Sequence, residues 1–404
     1  MVASPRADAP AGEARTDAGR DAYRAAARDW LAAHVTDRMR EDHVAYAEPT
    51  LEEAKAFEAA LYRAGLAGIT WPKAHGGHGR TLREHLIANQ EIGRLAMPQS
   101  VNSIGKELAG PIIMAIGTEE QKLRYLPAIL EMREIWCQGF SEPDAGSDLA
   151  GLRTRVTRDG GVWRVNGQKI WTSGAYRAQR CLLLARTGTV ADRHKGLALF
   201  AVPMDSKGLT VRKIRSIGDD EGFCEVFFDN VAVEDADALG DPDQGWNAAI
   251  RVLGIERATN RMYRSWRFEN ELLHLISACR HDPTLSALLQ DTHYRRRLAQ
   301  TQVDIEILKG HVETAVEALL AGAQIGARGS LAKLHWSEAH QRFTTLGLEM
   351  LAQASPKPAA YVARAQKRFK DLYLSARAET IYAGTTEIQL GIIADRILEL
   401  PRGR

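Results

Sequence analysis

The sequence has no surplus of either charge, no paired cysteines and no long apolar run, and each absence removes a class of protein. Lys and Arg total 53 against 51 Asp and Glu, a formal net charge of +2. A nucleic-acid binder usually shows a basic excess or stripe, so that class is set aside. The four cysteines, Cys137, Cys181, Cys224 and Cys279, form no C-x-x-C pair. That spacing speaks against a zinc site or a disulfide framework and fits a reducing compartment. No apolar run reaches the roughly 20 residues of a membrane span, so no membrane insertion is expected. The first twenty residues are rich in Ala, Arg, Asp and Pro and carry Asp8, Glu13 and Asp17. They lack the apolar core of a signal peptide and the acid-poor character of a transit peptide. Residues 1–20 therefore read as a disordered tail, and the chain as cytoplasmic.

What is present is enough chain, 404 residues with 45% apolar side chains, to bury two or three cores. Three textures follow one another. In residues 21–134 the apolar positions recur at three and four, as in 51–66, where Gly65 and Gly68 supply a stop. The stretch Trp71 to Gly79, with glycines and a proline, reads as a loop. Residues 82–95 resume helical spacing, and Thr118 is placed to cap a helix over 119–130.

Residues 135–240 change to strand grammar. Val162-Trp163-Arg164-Val165 leads into Asn166-Gly167, the dipeptide of two-residue hairpin turns. Further strands are expected at 181–185, 197–202, 209–214 and 225–233, between Gly, Asp and Lys clusters. From 241 to 404 the helical period returns over 246–280, 293–321, 331–351 and 361–381, broken at Ser355-Pro356-Lys357-Pro358. The expected fold is α+β: an N-terminal helical domain, a central small antiparallel β-barrel or sandwich, and a C-terminal helical bundle.

The most informative segment is Gln138-Gly139-Phe140-Ser141-Glu142-Pro143-Asp144-Ala145-Gly146-Ser147-Asp148. Its glycines and hydroxyls allow backbone N–H groups to approach a planar ring or a phosphate, although an ordinary Ser/Gly loop looks the same. Two more segments belong with it: Asn166-Gly167-Gln168-Lys169-Ile170-Trp171-Thr172-Ser173 and Tyr382-Ala383-Gly384-Thr385-Thr386-Glu387-Ile388-Gln389. In this order and spacing the three resemble the signatures of the acyl-CoA dehydrogenase family, over nearly the whole chain.

The resemblance implies a bound FAD. Gln138, Phe140 and Ser141 match positions that hold the pyrimidine edge of the flavin. Trp171 would flank the ring system, with Thr172 and Ser173 bonding to it, and Thr385 and Glu387 would contact the adenosine-diphosphate half. Ser147 matches a position at the cofactor and the thioester arm of the substrate, and Gly384 a substrate-contacting one. It also implies an acyl-CoA or acyl-carrier-protein thioester as substrate and an electron-transfer flavoprotein as acceptor. The assembly would be a homodimer, a homotetramer or a heteromer with a related subunit.

Many members carry a Glu between the Tyr and Gly of the last motif, where it abstracts the α-proton. Here that residue is Ala383, which leaves only its backbone N–H to serve the thioester carbonyl. A subset of the family places the base on a C-terminal helix, before a substrate-contacting Arg. Leu253-Gly254-Ile255-Glu256-Arg257 matches it and nominates Glu256 as base and Arg257 as a substrate residue. Apolar neighbours at Val252, Leu253 and Ile255 would raise the pKa of such a carboxylate. A solvated Glu–Arg pair on a helix face is the plainer alternative.

The family's R-x-x-F-G segment, which reaches a neighbouring subunit's FAD, has no counterpart at 281–284, and only fragments of its Q-x-x-G-G-x-G segment are found around 351–356, which leaves the adenine end of FAD without its usual contacts. Such gaps resemble a bacterial subgroup acting on bulky or branched thioesters, sometimes as heteromers. Four functions stand at this point: acyl-CoA dehydrogenase, the same chemistry on a carrier-bound acyl group, a flavin oxidase or monooxygenase, and a non-catalytic subunit. The metal-like spacing of His75 and His78 is read as a loop near the substrate mouth, and Arg295-Arg296-Arg297 as a solvated helix face.

Overall fold

The computed structural model describes residues 17–242, 245–248, 262–323 and 325–401. Helix α1 (Asp17–His34) opens the chain, so Asp17 to Arg20 are helical where the tail was expected. Its Tyr23, Ala27 and Leu31 recur every four residues and are all buried, one face of an amphipathic helix.

Helices α2 (Leu51–Arg63), α3 (Leu82–Gly93) and α5 (Glu119–Leu130) start at Thr50, Thr81 and Thr118. Each threonine closes a capping box with Glu53, Glu84 or Gln121 three residues on, which satisfies backbone N–H groups the helix leaves unpaired. Helix α2 stops before Gly65, at φ +76°, as the sequence suggested. Between α3 and α5 lie a π-helical turn, Gly105–Ala109, and the short α4 (Gly110–Ile116).

The middle region forms one sheet of eight strands. They are β1 (Trp136–Gly139), β2 (Arg155–Asp159), β3 (Val162–Lys169), β4 (Arg180–Arg186), β5 (Leu197–Pro203), β6 (Leu209–Ile214), β7 (Phe223–Glu234) and β8 (Ala238–Leu239). Two expectations change. The sheet is not wholly antiparallel, because β4 pairs in parallel with β1 and, at one residue, with β2; nor is it closed into a barrel. Asn166-Gly167 is not a hairpin turn either. It lies inside β3 at a bulge opposite β7, and the β2–β3 turn falls at Gly160-Gly161. Gly167 is there because a Cβ would meet the Thr154 backbone at 2.7 Å, while Asn166 accepts the Asn230 N–H through Oδ1.

The C-terminal region contains α6 (Tyr263–Arg280), α7 (Pro283–Leu288), α8 (Thr292–Leu320), α9 (Arg328–Leu351), α10 (Ala360–Ala376) and α11 (Thr386–Arg396). Phe268, Leu275, Phe343, Leu346 and Phe369 form its core. Asp282 caps α7, so the segment in place of R-x-x-F-G is a helix start. The helix-then-sheet-then-helix order stands as expected. Among the described residues no helix is long and apolar enough to cross a membrane.

Candidate active site

A cleft of about 2580 Å³ runs between the sheet, connecting segments of the N-terminal region and the C-terminal bundle, and all three sequence motifs open onto it. From the first come Gln138, Phe140, Ser141 and Ser147, from the second Trp171 and Ser173. The third contributes Ala383, Gly384, Thr385 and Glu387. Thr172 is fully buried and does not border the cleft. The nominated Glu256 and Arg257 lie outside the described residues. His75 and His78 do not border the cleft: His75 meets Glu119 at 2.9 Å and His78 the Tyr62 carbonyl.

The first motif is held from beneath by a buried ion pair. Period two on β3 turns Trp163, Val165 and, past the bulge, Lys169 toward the core, and Lys169 has no solvent exposure. Its Nζ donates to Glu142 Oε1 at 2.8 Å and to the Phe140 carbonyl at 2.9 Å. Glu142 also accepts the Arg153 and Thr154 N–H groups. Burial pushes Lys169 down and the Glu142 carboxylate pulls it back, leaving it at about 8. A trans peptide holds C=O and N–H on opposite sides, so anchoring the Phe140 carbonyl inward turns the Ser141 N–H away from Lys169, toward the cleft that Ser141 lines.

The second motif is a strained turn off the end of β3. Ile170 N–H donates to the Ser141 carbonyl, and Thr172 N–H to Cys224. Between them Trp171 sits at φ +59°, a left-handed conformation that is unfavourable for a bulky side chain. It is 57% exposed, with one edge on Phe223. Thr172 is fully buried, yet its Oγ1 has no partner among the described residues. A buried hydroxyl without a partner costs about 1–3 kcal/mol. Gly146 has nothing within 4 Å of where a Cβ would stand, leaving room for a ring at close approach. An orphaned hydroxyl, an exposed strained tryptophan and an open glycine wall suit a flat heteroaromatic cofactor such as a flavin.

The third motif is a turn built on α9. Ala383 and Gly384 both take left-handed φ, +54° and +91°. Gln389 Nε2 donates to the Ala383 carbonyl at 2.9 Å, and Lys333 Nζ to that of Gly384 at 2.7 Å. Among the described residues the Ala383 N–H donates to no protein acceptor. Thr385 spends its hydroxyl capping α11 and accepts the Ile388 N–H, and Glu387 is exposed in the first turn of that helix.

Sequence reasoning missed a further residue along α9. His340 is buried between two carboxylates, Nε2 to Glu271 at 2.9 Å and Nδ1 to Glu379 at 2.8 Å, and all three line the cleft. Burial works against the imidazolium, but Glu379 and Glu271 outweigh it and lift His340 to about 10. Burial likewise opposes the Glu271 carboxylate, and His340 and Arg267 bring it down to about 2. A raised histidine pKa stabilises fully below about 6.5, and that stability is lost as pH rises through about 10. The wild-type unfolding midpoint is therefore expected to drop more between pH 7 and 10 than that of His340→Gln, measured by thermal scans. Equal slopes would remove His340 as the source.

Fold and cleft together define a helix–sheet–helix scaffold in which all three sequence motifs border one cleft. The chain matches the acyl-CoA dehydrogenase N-terminal domain over residues 17–133, the middle domain over 137–231 and the C-terminal domain over 243–398. It is 34% identical over 390 residues to the acyl-CoA dehydrogenase IpdE1 of Mycobacterium tuberculosis, covering 94% of this chain and 97% of that one. Among solved structures it superposes on the Tcur3481-Tcur3483 steroid ACAD with a TM-score of 0.82 at 27% identity, covering 96% and 99% of the two chains. The ChsE4-ChsE5 complex from Mycobacterium tuberculosis gives a TM-score of 0.79, also at 27% identity, with coverage of 96% and 99%. The chain belongs to the acyl-CoA dehydrogenase family, FAD-using oxidoreductases that act on acyl-CoA.

Proposed function

We propose that this chain binds FAD in the interdomain cleft and uses it to introduce an α,β double bond into an acyl-CoA, with Glu256 as the base. The observation that carries the proposal is that Ser141, Trp171, Ser173 and Ala383 border one cleft, with the orphaned Thr172 hydroxyl buried between Trp171 and Ser173 in the chain. When bound there, FAD supplies the hydride acceptor. Gln138, Phe140 and Ser141 hold the pyrimidine edge, with the Ser141 N–H turned outward by Lys169. Trp171 flanks the ring, and Thr172 and Ser173 bond to it. Thr385 and Glu387, at the start of α11, meet the adenosine-diphosphate half, and Ser147 lies where cofactor and thioester arm converge.

The α-proton of a thioester is weakly acidic, so its removal needs hydrogen-bond donors at the carbonyl oxygen as negative charge collects there. The Ala383 N–H, unengaged among the described residues, serves as one, and its side chain is irrelevant to that task, with Gly384 beside it in contact with substrate. Ala383 has no carboxylate, so the proton goes to Glu256, with Arg257 beside it shaping the substrate pocket.

An electron-transfer flavoprotein is the proposed acceptor. The assembly is a homo-oligomer or a pair with a related subunit; the structurally similar ChsE4-ChsE5 protein is itself a complex. The test is the visible spectrum of the purified chain, recorded anaerobically against short, branched and steroid-like acyl-CoAs and then in air. Bound flavin that bleaches and returns only slowly in air supports a dehydrogenase. Rapid return in air would move the reading to an oxidase, and a colourless chain to a non-catalytic subunit.

A further inference from the structure

The Ala383–Gly384 turn has an ammonium group fastened to its back. Lys333, on the first half of α9, is only 6% exposed and donates from Nζ to the Gly384 carbonyl at 2.7 Å. The same helix grips the turn further along. Glu338 accepts from Thr386 Oγ1 at 3.0 Å, and Gln341 donates to Thr380 Oγ1 at 3.0 Å. Trp336 packs 6.5 Å from the Tyr382 ring. Gly384 takes its left-handed φ freely, but Ala383 does not, so the turn persists only where the surroundings over-determine it. A charged donor on the next carbonyl is the strongest single restraint of this kind.

Lys333 has a second property that its neutral neighbours lack. With Tyr382, Ala383 and Trp336 it lines a smaller cavity of about 320 Å³ that adjoins the cleft. Its charge therefore borders the space beside the Ala383 N–H, in a partly dry site where fixed charges act strongly on developing ones.

We propose that Lys333 is a positioning residue for deprotonation: its hold on the Gly384 carbonyl aims the Ala383 N–H at the thioester oxygen, and its charge favours the enolate. This rests on the reading of the Ala383 N–H given under Proposed function. Lys333 touches no reacting atom, so it acts on the rate of the step and not on the affinity for substrate.

The test uses full-length FAD-loaded protein and the acyl-CoA that bleaches the wild type fastest in the panel. Lys333→Met is expected to slow anaerobic bleaching at saturating acyl-CoA by about 100-fold. The half-saturating concentration should stay within about threefold, and bound FAD should stay at the wild-type ratio. Lys333→Arg should recover most of the rate, and Lys333→Gln, a donor without charge, should fall between. Wild-type bleaching in Lys333→Met would overturn the assignment, as would an effect confined to half-saturation or a loss of FAD. If the Met variant does not fold, Gln against Arg decides: a Gln variant as fast as Arg leaves no part for the charge and overturns the proposal as stated. A wild type that never bleaches defeats the underlying reading and this inference together. A wild type that bleaches beside an equally fast Met variant defeats this inference alone.

Discussion

Glu256→Gln is expected to keep its FAD and to reduce it about 10³-fold more slowly than the wild type on the same acyl-CoA. The carboxamide has nearly the shape of the carboxylate but cannot accept a proton, so binding survives and the step does not. None of the residues proposed to hold FAD is near Glu256 in sequence: they come from 138–147, 171–173 and 385–387. The third motif has an alanine where many relatives carry the base, and Ala383 itself lines the cleft, so the vacancy is at the site. Glu271 and Glu379, carboxylates along the same cleft, are both bonded to His340, and Glu271 is held down at about 2. The measurement is anaerobic stopped-flow at the flavin band. Reduction at close to the wild-type rate would remove Glu256 from the mechanism.

Lys169→Met is expected to destabilise the chain by about 3–5 kcal/mol, because it leaves the Glu142 carboxylate buried without its cation. The same change frees the Phe140 carbonyl, so the Ser141 N–H loses its orientation and FAD affinity should fall at least tenfold, about 1.4 kcal/mol. Adding Glu142→Gln separates the two effects. Removing the stranded charge should return part of the stability, whereas FAD affinity should stay low because nothing restores the carbonyl anchor. Denaturant melts and titration of the apoprotein with FAD read the two quantities. A double variant that regains affinity along with stability would show that Lys169 acts through the fold alone.

The contrast between helix caps and buried charges shows what a local pattern can and cannot carry. Helix limits are legible because Thr50, Thr81 and Thr118 each stand three residues before a Glu or Gln, and that chemistry is local. Strands β3 and β7 alternate buried and more exposed positions, whereas β4 and β5, buried along their length, are legible only as short apolar runs. Asn166-Gly167 misleads because the same positive-φ preference serves a bulge as well as a turn, and only the β7 partner decides. The parallel β1–β4 pairing depends on contacts more than forty residues apart, which local pattern does not encode. Lys169 sits inside a recognisable motif, yet its role emerges only with the structure; a lysine at an inward position is the signal that a buried partner must exist. His340, Glu271 and Glu379 come from α9, α6 and the turn before α11, and nothing in their neighbourhoods marks them. Glu256 is nominated by its motif and lies outside the described residues, so its placement rests on that match.

The most direct test of thioester dehydrogenation by this chain is a single anaerobic turnover with the acyl-CoA that bleaches the flavin best, followed by mass analysis of the thioester. One product is expected, two hydrogens lighter than the substrate and formed in step with flavin bleaching. Unchanged thioester, or bleaching without that product, would contradict it.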